Sequence, residues 1–500
     1  MKIGITHRYS IVLDATSEEV TALSDALAFD VPNSYWMGAN KRYGWDGKKR
    51  YYNRLTKKLP TGLLPYALDI LKASDIKPNL LDLRPVASKP KIPMSVSRWA
   101  TLLKSRDFPV DVVLCNFQHE TVVKARTRTL EGYPDIPWTR GLISLSVGSG
   151  KTLLAFWLAR LFKGNVLYLD NSRDRLIQTY SSYEQLYKGK QPGLIMAQQW
   201  DIKRVTLGMV QTLAPRVQRK DPQVLSFLKS VAVVIVDEAH LVGNNGYLDV
   251  LEACENAGAR FAMGGSLFRR KDLGNWTMLG QFGPVIKHTS SKQLRKLGAN
   301  AQVKAFILDV NQPKCALKYT AAEHLVITTN EYRNMLGIEV GLRAVAAGWI
   351  TLALVKRIEH GNLLKGLFSS LGYNVPFLCH KDPAENRYEY LQQMRSGATK
   401  LVIASKIFGT GINVPDIRCI IRYDAGASAI ESVQFPGRGS RKKTEYNWLY
   451  LIDFNDRTSK YFQKHTRQRI RVYKDEGYAI EAVNDSCDIT FKDLNNDTEH

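Results

Sequence analysis

The sequence predicts two tandem α/β domains, each built on a parallel sheet, behind a small α+β domain at the N-terminus. Three observations predict it. Short apolar runs alternate with helical patterns from about residue 95 to 300, and the alternation recurs from about 301 to 456. Runs such as Val231–Val236 are apolar throughout, as strands covered on both faces are. Five hundred residues also exceed what one hydrophobic core serves.

Four blocks follow in order. Residues 1–93 open with a strand-like run, Lys2 to Leu13, and a helix-like run, Ser17 to Phe29. A basic, aromatic stretch comes next, and the block closes at the proline-interrupted Lys89-Pro90-Lys91-Ile92-Pro93. Residues 94–300 hold strand candidates at Leu142–Leu145, Val166–Leu169, Arg204–Leu207, Val231–Val236 and Arg260–Met263. Residues 301–456 hold a second set at Trp349–Val355, Val375–Cys379, Lys400–Ala404, Arg418–Tyr423 and Trp448–Asp453. Residues 457–500 read as a basic helical tail that turns polar and acidic at its end.

Seventy Lys and Arg against 47 Asp and Glu leave a formal charge of +23 and a pI near 9.6. An excess that large points to a polyanionic partner, and nucleic acid is the usual one. The six cysteines are scattered and form no CxxC pair, which argues against a zinc ribbon or a disulfide framework. No run approaches 18 apolar residues, and the first residues lack a signal-peptide core. A soluble, cytoplasmic protein is expected.

The chemistry is concentrated in two motifs. Leu145-Ser-Val147-Gly148-Ser149-Gly150-Lys151-Thr152 lies between a strand pattern and a helical one. Small residues there let backbone N–H groups turn towards phosphates, and the helix adds the positive end of its dipole. Lys151 suits the β- and γ-phosphates, and Thr152 suits Mg²⁺. Leu145 stands where such loops usually open with glycine. Eighty-six residues after Lys151, the Val231–Val236 run delivers Asp237-Glu238-Ala239-His240. Asp237 is placed to orient Mg²⁺, and Glu238 to activate a water as general base.

With both motifs in order, the sequence resembles the superfamily-2 helicases and translocases, whose motor is a pair of RecA-like domains. The resemblance implies further roles. Gln118, after Asn116-Phe117, looks like the residue that reads the adenine. Thr212, in Thr206–Leu213, looks like a contact to the nucleic-acid backbone. Gly264-Gly265-Ser266 stands where the family shows a Ser/Thr-Ala-Thr motif, and Asp170-Asn171-Ser172 replaces a common Pro-Thr pair. Ala404–Pro415 resembles the fifth motif, with Thr410 and Gly411 as backbone and nucleotide-state contacts. Gln434-Phe-Pro-Gly-Arg438-Gly-Ser-Arg441 matches the QxxGRxxR form of the sixth. Arg438 and Arg441 lie three apart and suit a developing phosphoryl charge. The resemblance implies one ATP site completed by both domains.

The N-terminal block narrows the partner. From Lys41 to Lys58 it carries eight Lys or Arg and one acid. Tyr43, Trp45, Tyr51 and Tyr52 are interleaved with Lys41, Arg42, Lys48, Lys49 and Arg50. Cations suit the phosphate backbone, and aromatic faces suit unpaired bases. Arg42–Gly47, Asn53-Arg-Leu55 and Leu59–Leu63 resemble the N-terminal domain of UvsW-like branch-migration helicases of tailed bacteriophages. That implies a DNA motor acting on branched structures such as Holliday junctions, forks, D-loops and R-loops. Lys460, Lys464, Arg467 and Arg471 recur at three- and four-residue spacing, so Lys464 and Arg467 are further candidates for DNA contact. A DEAH-type RNA helicase and a non-catalytic DNA-binding scaffold are the competing readings. The motor subunit of a restriction enzyme ranks below them, because no separate nuclease constellation is seen.

Overall fold

The computed structural model describes residues 1–32, 34, 45–84, 116–146, 149–265, 267–268, 273–296, 300–405, 417–428 and 446–493. The chain divides into two units, Met1–Leu145 with Gly150–Thr289, and Ser290–His500 with Ser146–Ser149. The domain break expected at 300/301 therefore falls at 289/290. Among the described residues, no helix is long and apolar enough to cross a membrane.

The run Lys2–Leu13 is a hairpin rather than one strand. β1 (Lys2–Ile5) and β2 (Tyr9–Asp14) pair antiparallel, and the Thr6 side chain bridges the turn to Tyr9. The helix Ser17–Ala26 starts at a capping box in which Thr16 and Glu19 satisfy each other's backbone N–H groups. It ends before Phe29, which belongs to β3 (Ala28–Asp30); β3 pairs with β4 (Lys48–Arg50). β5 (Lys58–Pro60) and β6 (Asn79–Asp82) complete a four-stranded sheet, β5-β2-β1-β6.

Among the described residues, this N-terminal block has its own sheet and shares its core with the part of the unit that follows. Ile3, Leu59, Leu63 and Leu71 share one buried cluster with Leu142, Val234, Met278 and Phe282 of the following sheet. Polar contacts reinforce the junction. Tyr51 donates its hydroxyl to the Leu273 carbonyl at 3.0 Å, Phe29 stacks on Trp276 at 3.7 Å, and Arg140 donates to the His7 carbonyl at 2.6 Å.

The rest of the first unit is an eight-stranded sheet. Its strands are β9 (Arg140–Leu145), β10 (Asn165–Asp170), β11 (Gly193–Met196), β12 (Gln199–Asp201), β13 (Val205–Met209), β14 (Val231–Val236), β15 (Ala259–Gly264) and β16 (Val285–Thr289). The order is β12-β11-β13-β10-β14-β15-β9-β16, parallel except for β12. The small β7 (Thr129–Leu130) and β8 (Tyr133–Pro137) form a separate hairpin. All five expected strands are present; β11, β12 and β16 were not foreseen.

The second unit carries a seven-stranded parallel sheet, β19-β20-β18-β21-β22-β17-β23. These are β17 (Gln302–Asp309), β18 (Ile350–Val355), β19 (Phe377–Leu378), β20 (Leu401–Ser405), β21 (Ile417–Arg422), β22 (Trp448–Asn455) and β23 (Ala479–Val483). The block 457–500, read from sequence as a tail, supplies the edge strand β23 and the helix Lys460–Asp475 that packs on this sheet. That helix is pinned by Arg469, fully buried in a bidentate pair with Asp453 at 2.8 and 3.0 Å. Arg333–Asp456 and Arg422–Asp424 are similarly buried. Removing one partner of such a pair strands a charge and is costly.

Gly62 tests the fused core. A Cβ there would lie 2.2 Å from the Leu279 carbonyl oxygen and 2.5 Å from that of Gly280, both backbone atoms. Gly62→Ala is expected to destabilise the chain by about 2 kcal/mol, a fall in Tm of roughly 4–8 °C by calorimetry. An unchanged Tm would mean that the N-terminal block does not share this core.

Candidate functional site: a phosphate loop facing an acidic strand end

The expected loop follows β9, and its glycine has the required backbone. Gly150 sits at φ +74°, in the left-handed region, directly before the helix Lys151–Arg160. The N-cap residue, Gly150, has no side chain to bond to the first turn of that helix, whose dipole presents its positive end at the loop. A Cβ on Gly150 would lie 2.6 Å from Gln118 Nε2. Gln118 is buried on the helix Asn116–Thr127, so the residue expected to read a base lies against the loop expected to hold phosphates.

Lys151 donates to the Leu145 carbonyl at 3.3 Å, and Thr152 is half-buried in the first turn of its helix. Ser149 is buried beside them. Val147 and Gly148 lie outside the described residues.

Asp237 and Glu238 follow β14, whose last four residues are fully buried. Asp237 is buried, accepts from the Tyr168 hydroxyl at 3.1 Å, and accepts the Glu238 N–H at 2.9 Å. Burial, then the neighbouring Glu238 charge, push its carboxyl up to about 6; Lys151 and Arg175 oppose that. Burial also opposes ionisation of Glu238, but the His240 hydrogen bond and the charges of Lys151 and Arg175 prevail and hold it down, at about 2. His240 Nδ1 is 3.3 Å from the Glu238 carboxylate. Glu238 takes φ +54°, an unfavourable conformation for a residue with a side chain. The pair is thus split into an easily ionised carboxylate and a reluctant one.

Sequence reading missed two supports of this pair. Arg175, in the helix Arg173–Leu186, forks onto Asp170 at the end of β10 and contributes charge to both Asp237 and Glu238. Tyr168 holds Asp237 from the same strand. An acid closing a strand with an arginine five residues on was the available signal. Gly264 packs under the acidic turn, where a Cβ would lie 3.5 Å from Ala239 N. Ser266 lies outside the described residues.

The donor set fits the expected metal. Thr152 and Asp237 offer oxygen only, as Mg²⁺ prefers. Three carboxylates, Asp170, Asp237 and Glu238, face the two cations Lys151 and Arg175, which leaves room for a divalent cation.

The remaining candidates are scattered. Thr212 is half-buried at the start of the helix Val210–Gln218, where its hydroxyl accepts the Ala197 N–H at 3.0 Å. Lys48, Lys49 and Arg50 are exposed along β4, with Arg50 paired to Asp46 at 2.6 Å. Trp45 donates its indole N–H to the Lys48 carbonyl at 2.9 Å. Tyr51 and Tyr52 are core residues and offer no free face. Lys464 and Arg467 are exposed in the second unit, on one face with Lys460 and Arg471. Lys41, Arg42, Tyr43, Thr410, Gly411, Arg438 and Arg441 lie outside the described residues.

Known proteins match this arrangement. The family model for the type III restriction enzyme res subunit matches residues 119–265, and that for the helicase conserved C-terminal domain matches residues 346–443. A putative ATP-dependent helicase, IRC3 of Saccharomyces cerevisiae, is 22% identical over 336 residues, 62% of this chain and 48% of that protein. The chain thus spans about half the length of that relative. Among solved structures, the type ISP restriction-modification enzyme LlaBIII bound to DNA superposes with a TM-score of 0.54 at 13% identity, over 85% of this chain and 35% of that one. UvsW of bacteriophage T4 gives 0.47 at 18% identity, over 97% of this chain and 100% of that one.

Gly150→Ala would force a side chain into the left-handed region and against Gln118. It is expected to weaken binding of a fluorescent ATP analogue about tenfold or more, with the circular dichroism spectrum unchanged. Binding equal to wild type would dissociate the loop from the nucleotide.

Proposed function

We propose that the chain is a superfamily-2 helicase, an ATP-driven DNA motor that moves and unwinds branched DNA. The observation that carries the ATP half is the meeting of Gly150, Lys151, Gln118, Asp237 and Glu238 at the carboxyl edge of one sheet. In this reading Gln118 holds the base against the loop. Lys151 and the uncapped helix N-terminus hold the phosphates. Mg²⁺, held by Thr152 and Asp237, neutralises phosphate charge when bound. Glu238, kept in place by its N–H bond to Asp237 and its contact with His240, takes the proton of the attacking water. Arg438 and Arg441 supply the charge that stabilises the transition state.

The DNA half rests on charge and resemblance. The exposed Lys48-Lys49-Arg50 strand pairs with β3, whose Phe29 packs on the core that also holds Leu142 of β9. Arg42–Gly47, Asn53–Leu55 and Leu59–Leu63 resemble UvsW-like branch-migration helicases, which favours Holliday junctions, forks, D-loops and R-loops as substrates. Thr212, Thr410, Lys464 and Arg467 would add backbone contacts. An RNA substrate is the second reading, because the match to the helicase conserved C-terminal domain names no nucleic acid.

Forked DNA is expected to stimulate ATP hydrolysis well beyond single-stranded RNA, and Lys151→Ala to reduce hydrolysis at least about 10²-fold. Hydrolysis that survives in Lys151→Ala overturns the motor; stronger stimulation by RNA overturns the choice of DNA. Charge reversal at Lys464 and Arg467 together should flatten the salt dependence of DNA binding by about one unit per lost phosphate contact. An unchanged slope removes that helix face from the interface.

A further inference from the structure

The second unit holds a basic cavity of about 390 Å³ where the loop after β17 meets the loop after β22. Lys314, Arg457, Lys460 and Gln463 line it, together with Cys315 and Thr458. The two loops are tied by the Cys315 N–H, which donates to the Thr458 carbonyl at 2.6 Å. Arg457 shares its guanidinium with Asp309 at 3.0 Å; Lys314 is exposed and makes no ion pair among the described residues. The local charge is therefore positive.

The cavity sits at the N-terminus of the sixteen-residue helix Lys460–Asp475. Ser459 occupies the cap position, yet its side chain accepts nothing from the helix, so the first-turn N–H groups lack a side-chain partner. A second, independent observation concerns hydroxyls. Thr458 is 2% exposed and Ser459 1%, and neither hydroxyl has a hydrogen-bond partner among the described residues. Buried hydroxyls are nearly always satisfied, so the Thr458 hydroxyl, on a residue that lines the basic cavity, points to a missing acceptor there. A multivalent oxyanion supplies that acceptor, the counter-charge for Lys314 and Lys460, and the partner for the uncapped helix end.

We propose that this cavity binds a backbone phosphate of DNA, fixing the second unit on the strand at one defined point. It is distinct from the exposed Lys464 and Arg467 face, which attracts the backbone without a built site. The inference rests on the DNA reading above and adds a specific contact to it.

The test uses the full chain, a fluorescent forked DNA and anisotropy from about 50 to 200 mM salt. Lys314→Ala should flatten the salt slope by about one unit. Thr458→Val keeps charge and shape and removes a hydroxyl that has no protein partner, so folding is undisturbed; DNA affinity should nevertheless fall about tenfold. Bound DNA should also slow alkylation of Cys315, with exposed Cys487 as the internal control. Both variants binding as wild type would overturn the site. So would a loss in Lys314→Ala with none in Thr458→Val, because diffuse charge alone then accounts for binding. Protection of Cys315 by inorganic phosphate but not by DNA would overturn the backbone assignment. A wild-type chain that binds no DNA sinks the functional reading and this site together, whereas a binding wild type with two unaffected variants sinks the site alone.

Discussion

Parallel strands end at a common edge, and the chemistry of the first unit depends on that constraint. β9, β10, β14 and β15 deliver Lys151, Asp170, Asp237 and Gly264 to the same side of one sheet. Burial there removes water from three carboxylates, which would repel one another without compensation. Lys151 and Arg175 compensate in part, and the remainder appears as the reluctant ionisation of Asp237. The same imbalance makes the edge receptive to a divalent cation and to a phosphate chain that brings its own metal. Strain at Glu238 belongs to this picture: its φ of +54° is tolerated where the Asp237 carboxylate holds its N–H.

The N-terminal block enters the same core rather than hanging from a linker. Leu59 and Leu63 pack with Met278 and Phe282, and Gly62 lies against the backbone of the helix Gly274–Phe282. That helix follows β15, whose last residue, Gly264, supports the acidic turn. The basic strand Lys48–Arg50 is thereby held on the body that carries the phosphate loop, and a substrate gripped there would be positioned relative to it.

Legibility in the sequence followed burial. β14 is uniformly apolar and β18 is apolar but for Thr351, nearly every residue of both is buried, and such runs declare themselves. β23, Ala-Ile-Glu-Ala-Val, is an edge strand with three exposed residues, and its pattern is indistinguishable from a polar tail. β17 was not foreseen: it opens with the polar Gln302 and Lys304, and only Ala305–Leu308 is a continuous apolar run. The hairpin β1–β2 was hidden because its turn, Thr6-His7-Arg8, has neither glycine nor proline. Within the site, Lys151, Asp237 and Glu238 were legible as motifs, since fixed spacing encodes their chemistry. Tyr168 was not, because it meets Asp237 only where β10 and β14 pair in the folded sheet, and Arg175 left only the faint signal of an arginine five residues after an acid that closes a strand.

The charge of +23 needs the same care. Arg140, Arg260, Arg333, Arg422 and Arg469 are all essentially buried and serve the fold. Arg260 donates to the carbonyls of Ala257, Leu251 and Cys254, while Arg469 closes on Asp453. The helix Lys460–Asp475 therefore carries residues of opposite purpose: Arg469 faces inward, and Lys460, Lys464, Arg467 and Arg471 face outward. Counterion release on binding a polyanion would draw only on the outward set. The electrostatic footprint is thus smaller than composition suggests and more localised, because the inward arginines fix the helix that presents the outward ones.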